Sequence, residues 1–369
     1  MAIKFHKFNE NRKSSIYYLK AFERKAIEFG ENLETLINFK TPELSDMFAA
    51  MRAVADSGDI GSDAGFANIY LLRKKYGTLL SLQDGFLFRY YNGQGSRRGY
   101  AFPLGADDPR KALEMIVKDF QESGRPLEFC LVDEPRVQIL AEYFSTLETS
   151  PILHYEDNRG DSDYIYSAES LASLSGNNYR KKRNHISKFS RTYAHFELRS
   201  ITRENAAEAL EIEKLWLTSG MAGKMGTKTG ECEQMAWAEY SEDEKSRHAE
   251  FCAIQEALQN FEMLGMKGGL LYVEDKPVGM TLASEISPGV WDIHFEKVIG
   301  EYAVNGGYAV INKMFAETLT DARLINREED INIEGLRKAK LSYYPLIILD
   351  KCHVTVVRES SLCHPRILP

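Results

Sequence analysis

The chain has 369 residues, 44% hydrophobic and 27% charged, so it can bury the cores of two ordinary domains and is not a disordered chain. A formal net charge of -8 and a pI near 5.6 argue against a general nucleic-acid binder and confine any basic site to a local patch. Five scattered cysteines without a CxxC pair argue against a disulfide framework or a zinc site, and no apolar run has the length of a signal peptide or of a spanning helix (about 18 residues), which together predict a cytoplasmic protein.

In chain order, Ile16, Leu19, Phe22, Ala26 and Phe29 recur at helical spacing before Gly30. A second helix is expected over residues 42–56, with Thr41 as cap and Pro42 in its first position. Short runs of apolar, aromatic and β-branched residues at 66–76, 78–82 and 86–91 read as strands, and Asp84-Gly85 joins the last two as a hairpin. Residues 99–104 read as another strand. Residues 109–123 form an amphipathic helix stopped by Gly124, 127–132 a buried strand, and Pro135 opens a helix running to about Phe144.

The polar stretch 151–163 is placed as the domain connection. Two helices are expected next, with a capping box at Ser241 and Glu244 and a buried stripe of Phe251, Ile254, Leu258 and Phe261. A three-strand meander then covers 269–274, 278–286 and 290–296, with turns at Asp275-Lys276-Pro277 and Ser287-Pro288-Gly289. A helix at 307–319, a strand at 323–326, a helix at 333–344 and a closing strand at 346–357 follow. Residues 358–369 read as an unstructured tail. Both halves therefore share one order of helices, antiparallel meander, helix, strand and helix, which predicts two domains with mixed α/β sheets, 1–150 and 151–357.

Three constellations could carry chemistry, all in the second half. Residues 179–191 hold six Lys/Arg, with Tyr179, Ile186, Phe189 and Tyr193 on one helical face. Lys182 or Arg183 falls on that same face, where it must snorkel or meet an anion. Arg180, Lys181, Lys182 and Arg183 are thus candidates for phosphate binding, against the plainer reading of a solvated basic face. Asn326, Arg327 and Glu328 follow a strand, where open sheets place their sites, and Arg337 and Lys340 share one side of the next helix. The plainer reading is a capped, salt-bridged helix. Finally, strict alternation puts Asp292, His294 and Glu296 on one strand face, with His294 or Glu296 as a candidate base. The competing reading is a solvent-facing strand. No Walker A loop, HExxH, GxSxG or dinucleotide fingerprint occurs, and no metal site is expected.

The segment Gly335-Leu336-Arg337, Lys340, Tyr343, Pro345 resembles one near the end of the catalytic domain of the phosphatidylglycerol lysyltransferases. Phe66 to Tyr70, the basic stretch, His294 to Lys297 and residues 326–343 resemble soluble bacterial members of the same superfamily, so the likeness runs from about Phe66 to Pro345. The resemblance implies two tandem GNAT-like (acyl-CoA N-acyltransferase-fold) domains, as in the Fem-type transferases. It implies transfer of an aminoacyl group from charged tRNA to a lipid or another hydroxyl or amine acceptor.

By position, Arg180 to Arg183 would hold phosphates, and Arg337 and Lys340 would line the acceptor or aminoacyl-tRNA site. The candidate catalytic residues are then His294, Glu296 and Arg337, with the other named residues binding substrate. The partners would be tRNA and, peripherally at the inner membrane face, a lipid. Ala339 and Ser342 depart from the lysyltransferase motif, which has Phe and Lys there, and put phosphatidylglycerol in doubt as acceptor. An acyl-CoA-dependent N-acyltransferase is the first alternative, with Gly300 to Gly307 as its pyrophosphate loop, although the usual Gln/Arg-x-x-Gly-x-Gly/Ala pattern is missing there. A non-catalytic GNAT-fold binding protein is the second.

Overall fold

The computed structural model describes residues 36–93, 95–148, 151–218 and 241–357. The helix expected at 16–29 and the tail lie outside them. Every described residue belongs to one contact unit, Thr35–Pro369.

The first helices are α1 (Met47–Ser57), α2 (Phe66–Leu71) and α3 (Arg73–Tyr76). Strands β1 (Thr78–Gln83), β2 (Phe86–Asn92), β3 (Arg98–Ala101) and β4 (Leu104–Gly105) follow, then α4 (Pro109–Ser123), β5 (Glu128–Val132) and α5 (Glu134–Ser145). The middle of the chain supplies β6 (Ile152–Asp157), β7 (Asp163–Ser167), α6 (Ala168–Ser173), α7 (Arg180–Thr192), β8 (Phe196–Ser200), α8 (Ala206–Thr218) and α9 (Glu242–Gln259). The last part comprises β9 (Lys267–Val273), β10 (Lys276–Ser287), β11 (Val290–Val298), α10 (Gly300–Val304), α11 (Gly307–Thr318), β12 (Leu324–Asn326), α12 (Glu334–Leu341), β13 (Ile347–Leu349) and β14 (Cys352–Val357).

Two mixed sheets repeat one plan. The first runs β1-β2-β3-β5-β14-β6, an antiparallel meander followed by a parallel β3–β5 pair and two antiparallel strands. The second runs β8-β9-β10-β11-β12-β7-β13, again with a meander, a parallel β11–β12 pair and two antiparallel strands. The architecture is that of mixed α/β, tandem GNAT-like domains. Asp84 and Gly85 both take positive φ, 52° and 79°, which is the turn that Asp-Gly favours in a two-residue hairpin.

The chain crosses between the sheets twice, from β6 to β7 and back from β13 to β14, so β14 and β6 complete the first sheet although they follow residue 150. Ser162 Oγ donates to Asp350 Oδ1 at 2.7 Å and ties the two crossings together. Beside them lies a buried ionic network. Lys351 Nζ donates to Asp63 and Asp163 at 2.7 and 2.9 Å, and Arg89 donates to Asp63 at 3.0 Å. Apolar side chains of α1, α2, β9, β10 and β11 share one core.

Several local expectations are corrected. Residues 66–76 are helical, because Phe66–Leu71 is buried on every side and a short, mostly apolar run carries no period that separates helix from strand. The polar stretch 151–163 contains β6, whose polarity reflects its place at a sheet edge. The closing strand 346–357 is split in two by the crossing at Asp350 and Lys351. The helix expected at 42–56 opens instead with a 3-10 turn, Leu44–Asp46, capped by Glu43. Cys130 and Cys352 are free thiols.

Candidate functional site

The parallel pairing of β11 with β12 lasts three residues, ending at Asp292 opposite Asn326. Beyond it β11 stays paired with β10 as far as Val298, while the chain after Asn326 turns away through Glu328, at φ 57°. A non-glycine residue held in that region marks local constraint. Side chains from the two separating strands fill the opening in two clusters.

The inner cluster holds Asp292, His294 and Glu328. Asp292 is fully buried, and neither carboxylate oxygen has a hydrogen-bond partner among the described residues. His294 Nδ1 lies 3.4 Å from Asp292 Oδ2 and 3.3 Å from Glu328 Oε1, while Nε2 lies 2.8 Å from Ser284 Oγ. Asn68 donates to Glu328 Oε1 at 3.2 Å. Burial, reinforced by Glu328 and Asp163, pushes the Asp292 carboxyl well above the carboxylate range, and burial raises Glu328 as well.

The outer cluster is built on Glu296. Its Oε1 accepts from Arg327 Nη2 at 3.0 Å and its Oε2 from Asn312 Nδ2 at 3.2 Å. Arg327 Nη1 and Asn312 Oδ1 are buried with no hydrogen-bond partner among the described residues. The Arg327 guanidinium lies 4.9 Å from the ring centre of Tyr343, and Lys182 Nζ lies 3.6 Å from the same ring. Burial, and then the Arg327 charge, pull the Lys182 ammonium down to about 8.

The loop that delivers Arg327 and Glu328 is held from below. Lys340 Nζ donates to the carbonyls of Arg327, Glu328 and Glu329. Arg337 grips Asp330 through Nε at 2.7 Å and Nη2 at 2.9 Å, and Tyr164 donates to the same carboxylate. Asn326 bonds Asp163 and the Ile60 carbonyl.

Of the four basic residues opening α7, only Lys182 reaches the opening. Arg180 and Lys181 are exposed, and Arg183 caps the carbonyls of Leu174 and Gly176. Residues 300–304 form α10, and a Cβ on Gly306 would stand 2.5 Å from the His185 carbonyl oxygen. Packing of α7 therefore accounts for that glycine without a phosphate.

The sequence profile described as "Phosphatidylglycerol lysyltransferase, C-terminal" matches residues 55–351. The chain belongs to that family. Its structure is similar to that of a conserved protein of unknown function from Bacteroides thetaiotaomicron, with 30% identity, a TM-score of 0.75, and coverage of 87% of this chain and 99% of that one. It is also similar to the L-PGS of Bacillus licheniformis, at 12% identity and a TM-score of 0.55, over 86% and 92% of the two chains, a likeness of fold alone. An uncharacterized Mycoplasmoides gallisepticum protein, MYCGA3080, is 24% identical over 203 residues, 54% of this chain, and the match spans 58% of its own length. No helix among the described residues is long and apolar enough to cross a membrane.

Within this family member, sequence reasoning named His294, Glu296, Arg327, Glu328 and Lys182, which the structure brings together at one opening. It did not choose Asp292 as a site residue, nor Ser284, Asn312 and Tyr343. No local signal marked them: Ser284 stands beside Glu285 and Asn312 beside Lys313, and only the structure shows both buried.

Proposed function

We propose that the chain transfers an aminoacyl group from charged tRNA to a hydroxyl or amine acceptor, and that the outer cluster is where the transfer takes place. The observation that carries this reading is the buried, unpartnered Nη1 of Arg327 beside Lys182, whose ammonium burial pulls down to about 8. A fixed cation with a free donor, next to a weak base, is what acyl transfer from an activated ester requires.

The acceptor oxygen or nitrogen attacks the ester carbonyl carbon and gives its proton to neutral Lys182. Arg327 Nη1 donates to the oxyanion of the tetrahedral intermediate, and Glu296 keeps the guanidinium oriented. The bond from carbon to the tRNA ribose oxygen then breaks, and Lys182 returns the proton to that oxygen. Arg180 and Lys181, exposed at the start of α7, are available for tRNA phosphates. An anionic lipid headgroup is the first acceptor to try, given the family.

The test incubates the purified chain with labelled aminoacyl-tRNA pools and with phosphatidylglycerol vesicles or small amines, and reads label in each acceptor. Arg327→Ala should lower transfer by about 10²–10³, as loss of one oxyanion donor does. Failure to bind charged tRNA at low salt, with no label transferred to any acceptor, removes the reading.

A further inference from the structure

We propose that Asp292, His294 and Glu328 form a binding site for a divalent, zinc-like cation at the base of the strand opening. The inference does not rest on the transfer reading, since it concerns the inner cluster and is read out by metal content. One donor atom from each of the three residues lies within 4.8 Å of the others. Donation from Nε2–H of His294 to the Ser284 hydroxyl leaves the Nδ1 lone pair facing two carboxylates. Three electron-pair donors then converge, and the Asp292 carboxylate, wholly buried, accepts no hydrogen bond from any described residue. A buried carboxyl of this kind stays neutral unless a cation replaces its proton, and a bound metal ion is such a cation.

The two distances from Nδ1 fit such a cation. A charge-assisted bond from a protonated imidazole to a carboxylate would measure about 2.7–2.9 Å. Donor atoms held about 2.0–2.1 Å from a tetrahedral centre lie roughly 3.3–3.4 Å apart. The observed separations from Nδ1 are 3.4 Å to Asp292 and 3.3 Å to Glu328, which match the second arrangement. A nitrogen and two carboxylate oxygens suit a borderline cation, and three protein ligands leave one tetrahedral position open. The left-handed backbone at Glu328, fixed by Lys340 and by the bond from Glu328 N–H to Asn326 Oδ1 at 2.8 Å, is what brings the third ligand to the cluster.

The experiment adds Zn²⁺ or Co²⁺ to the EDTA-treated full-length chain and measures bound metal after gel filtration, together with the visible spectrum of the cobalt form. A single equivalent is expected, with the intense visible bands of tetrahedral Co²⁺ and no thiolate charge-transfer band. Asp292→Asn and Glu328→Gln should each lose that equivalent, and His154→Ala, at an exposed histidine elsewhere, should keep it. No bound metal, an octahedral or thiolate spectrum of the unaltered chain, or full binding by the folded Asp292→Asn variant each overturns the proposal. The spectrum of the unaltered chain decides the matter even where a variant fails to fold.

Discussion

The ammonium of Lys351 lies 2.9 Å from Oδ2 of Asp163, at the place where the chain returns from the second sheet to the first. It lies 2.7 Å from Asp63 as well, so one cation joins carboxylates from both halves in a setting that water does not reach. Removing a single member of such a buried group leaves the others uncompensated, which costs about 3–5 kcal/mol. Lys351→Met should therefore lower the unfolding free energy by about that much in urea titrations. The pH dependence has a definite sign. Lys351 and Arg89 hold Asp63 below its ordinary range, so its contribution is complete above about pH 4 and is lost as acid is added. Acid unfolding should be steeper in the native chain than in Lys351→Met. Equal stability of the two proteins would show that the network does not join the halves.

Lys182 gives the transfer reaction a pH signature. As the proton acceptor it works in its neutral form, so kcat/KM should rise with pH through about 8 and then level. Lys182→Arg keeps the charge and should remove that limb. The groups facing Lys182 are Arg327, Glu296 and Tyr343, and of these Arg327 pulls the ammonium down while Glu296 opposes it. Because burial depresses its pKa, the cation costs stability below about pH 8, and that cost fades as pH rises toward the unfolded value. Lys182→Met should thus be no less stable than the native chain at neutral pH, so loss of activity there would not be unfolding. A rate that falls above pH 8 would make Lys182 an electrostatic stabiliser instead of a base.

Arg180, Lys181 and Arg183 are exposed, and Arg183 alone makes local bonds to carbonyls. If Arg180 and Lys181 contact tRNA phosphates, changing both to Ala should flatten the plot of log affinity against log salt by about 1.4–1.8 units, at roughly 0.7–0.9 per contact. The same substitutions should leave the cluster around Arg327 intact. An unchanged slope would remove α7 from the tRNA-binding surface.

How much of this was legible in the chain depended on how local the cause was. The meander from β9 to β11 follows from alternation and turn chemistry, and only the first turn shifts, to Glu274 and Asp275, both with positive φ. The capping box at Ser241 and Glu244 is likewise a matter of four consecutive residues. The pairing of β14 with β5 and β6 joins segments far apart in sequence, and no local pattern encodes it. The site divides in the same way. The chemistry of Glu296 and Arg327 was visible, but their contact arises only because β11 and β12 separate after three paired residues. Asp292 sits in an alternating strand where a carboxylate ordinarily faces water, and only the packing around β11 shows it wholly buried. Arg337 and Lys340 stand out through the likeness of the Gly335 to Pro345 segment to the family motif, and each is engaged in holding the loop that carries Arg327 and Glu328.

Gly306 tests whether the placement of α7 matters to the reaction. Its φ is 107°, and an added Cβ would stand 2.5 Å from the carbonyl oxygen of His185 in the middle of α7. Gly306→Ala would suffer backbone strain of about 1–3 kcal/mol and would also push α7 outward. Since α7 carries Lys182, the variant should lose more transfer activity than its lost stability explains, measured well below its melting temperature. Gly105→Ala is the matched control. Its Cβ would meet the carbonyl oxygen of Gly85 at 2.7 Å, in the β1–β2 hairpin of the first sheet, which bears no residue of the outer cluster. If both variants lose activity in proportion to stability alone, α7 is a structural support and Lys182 is not positioned for the chemistry.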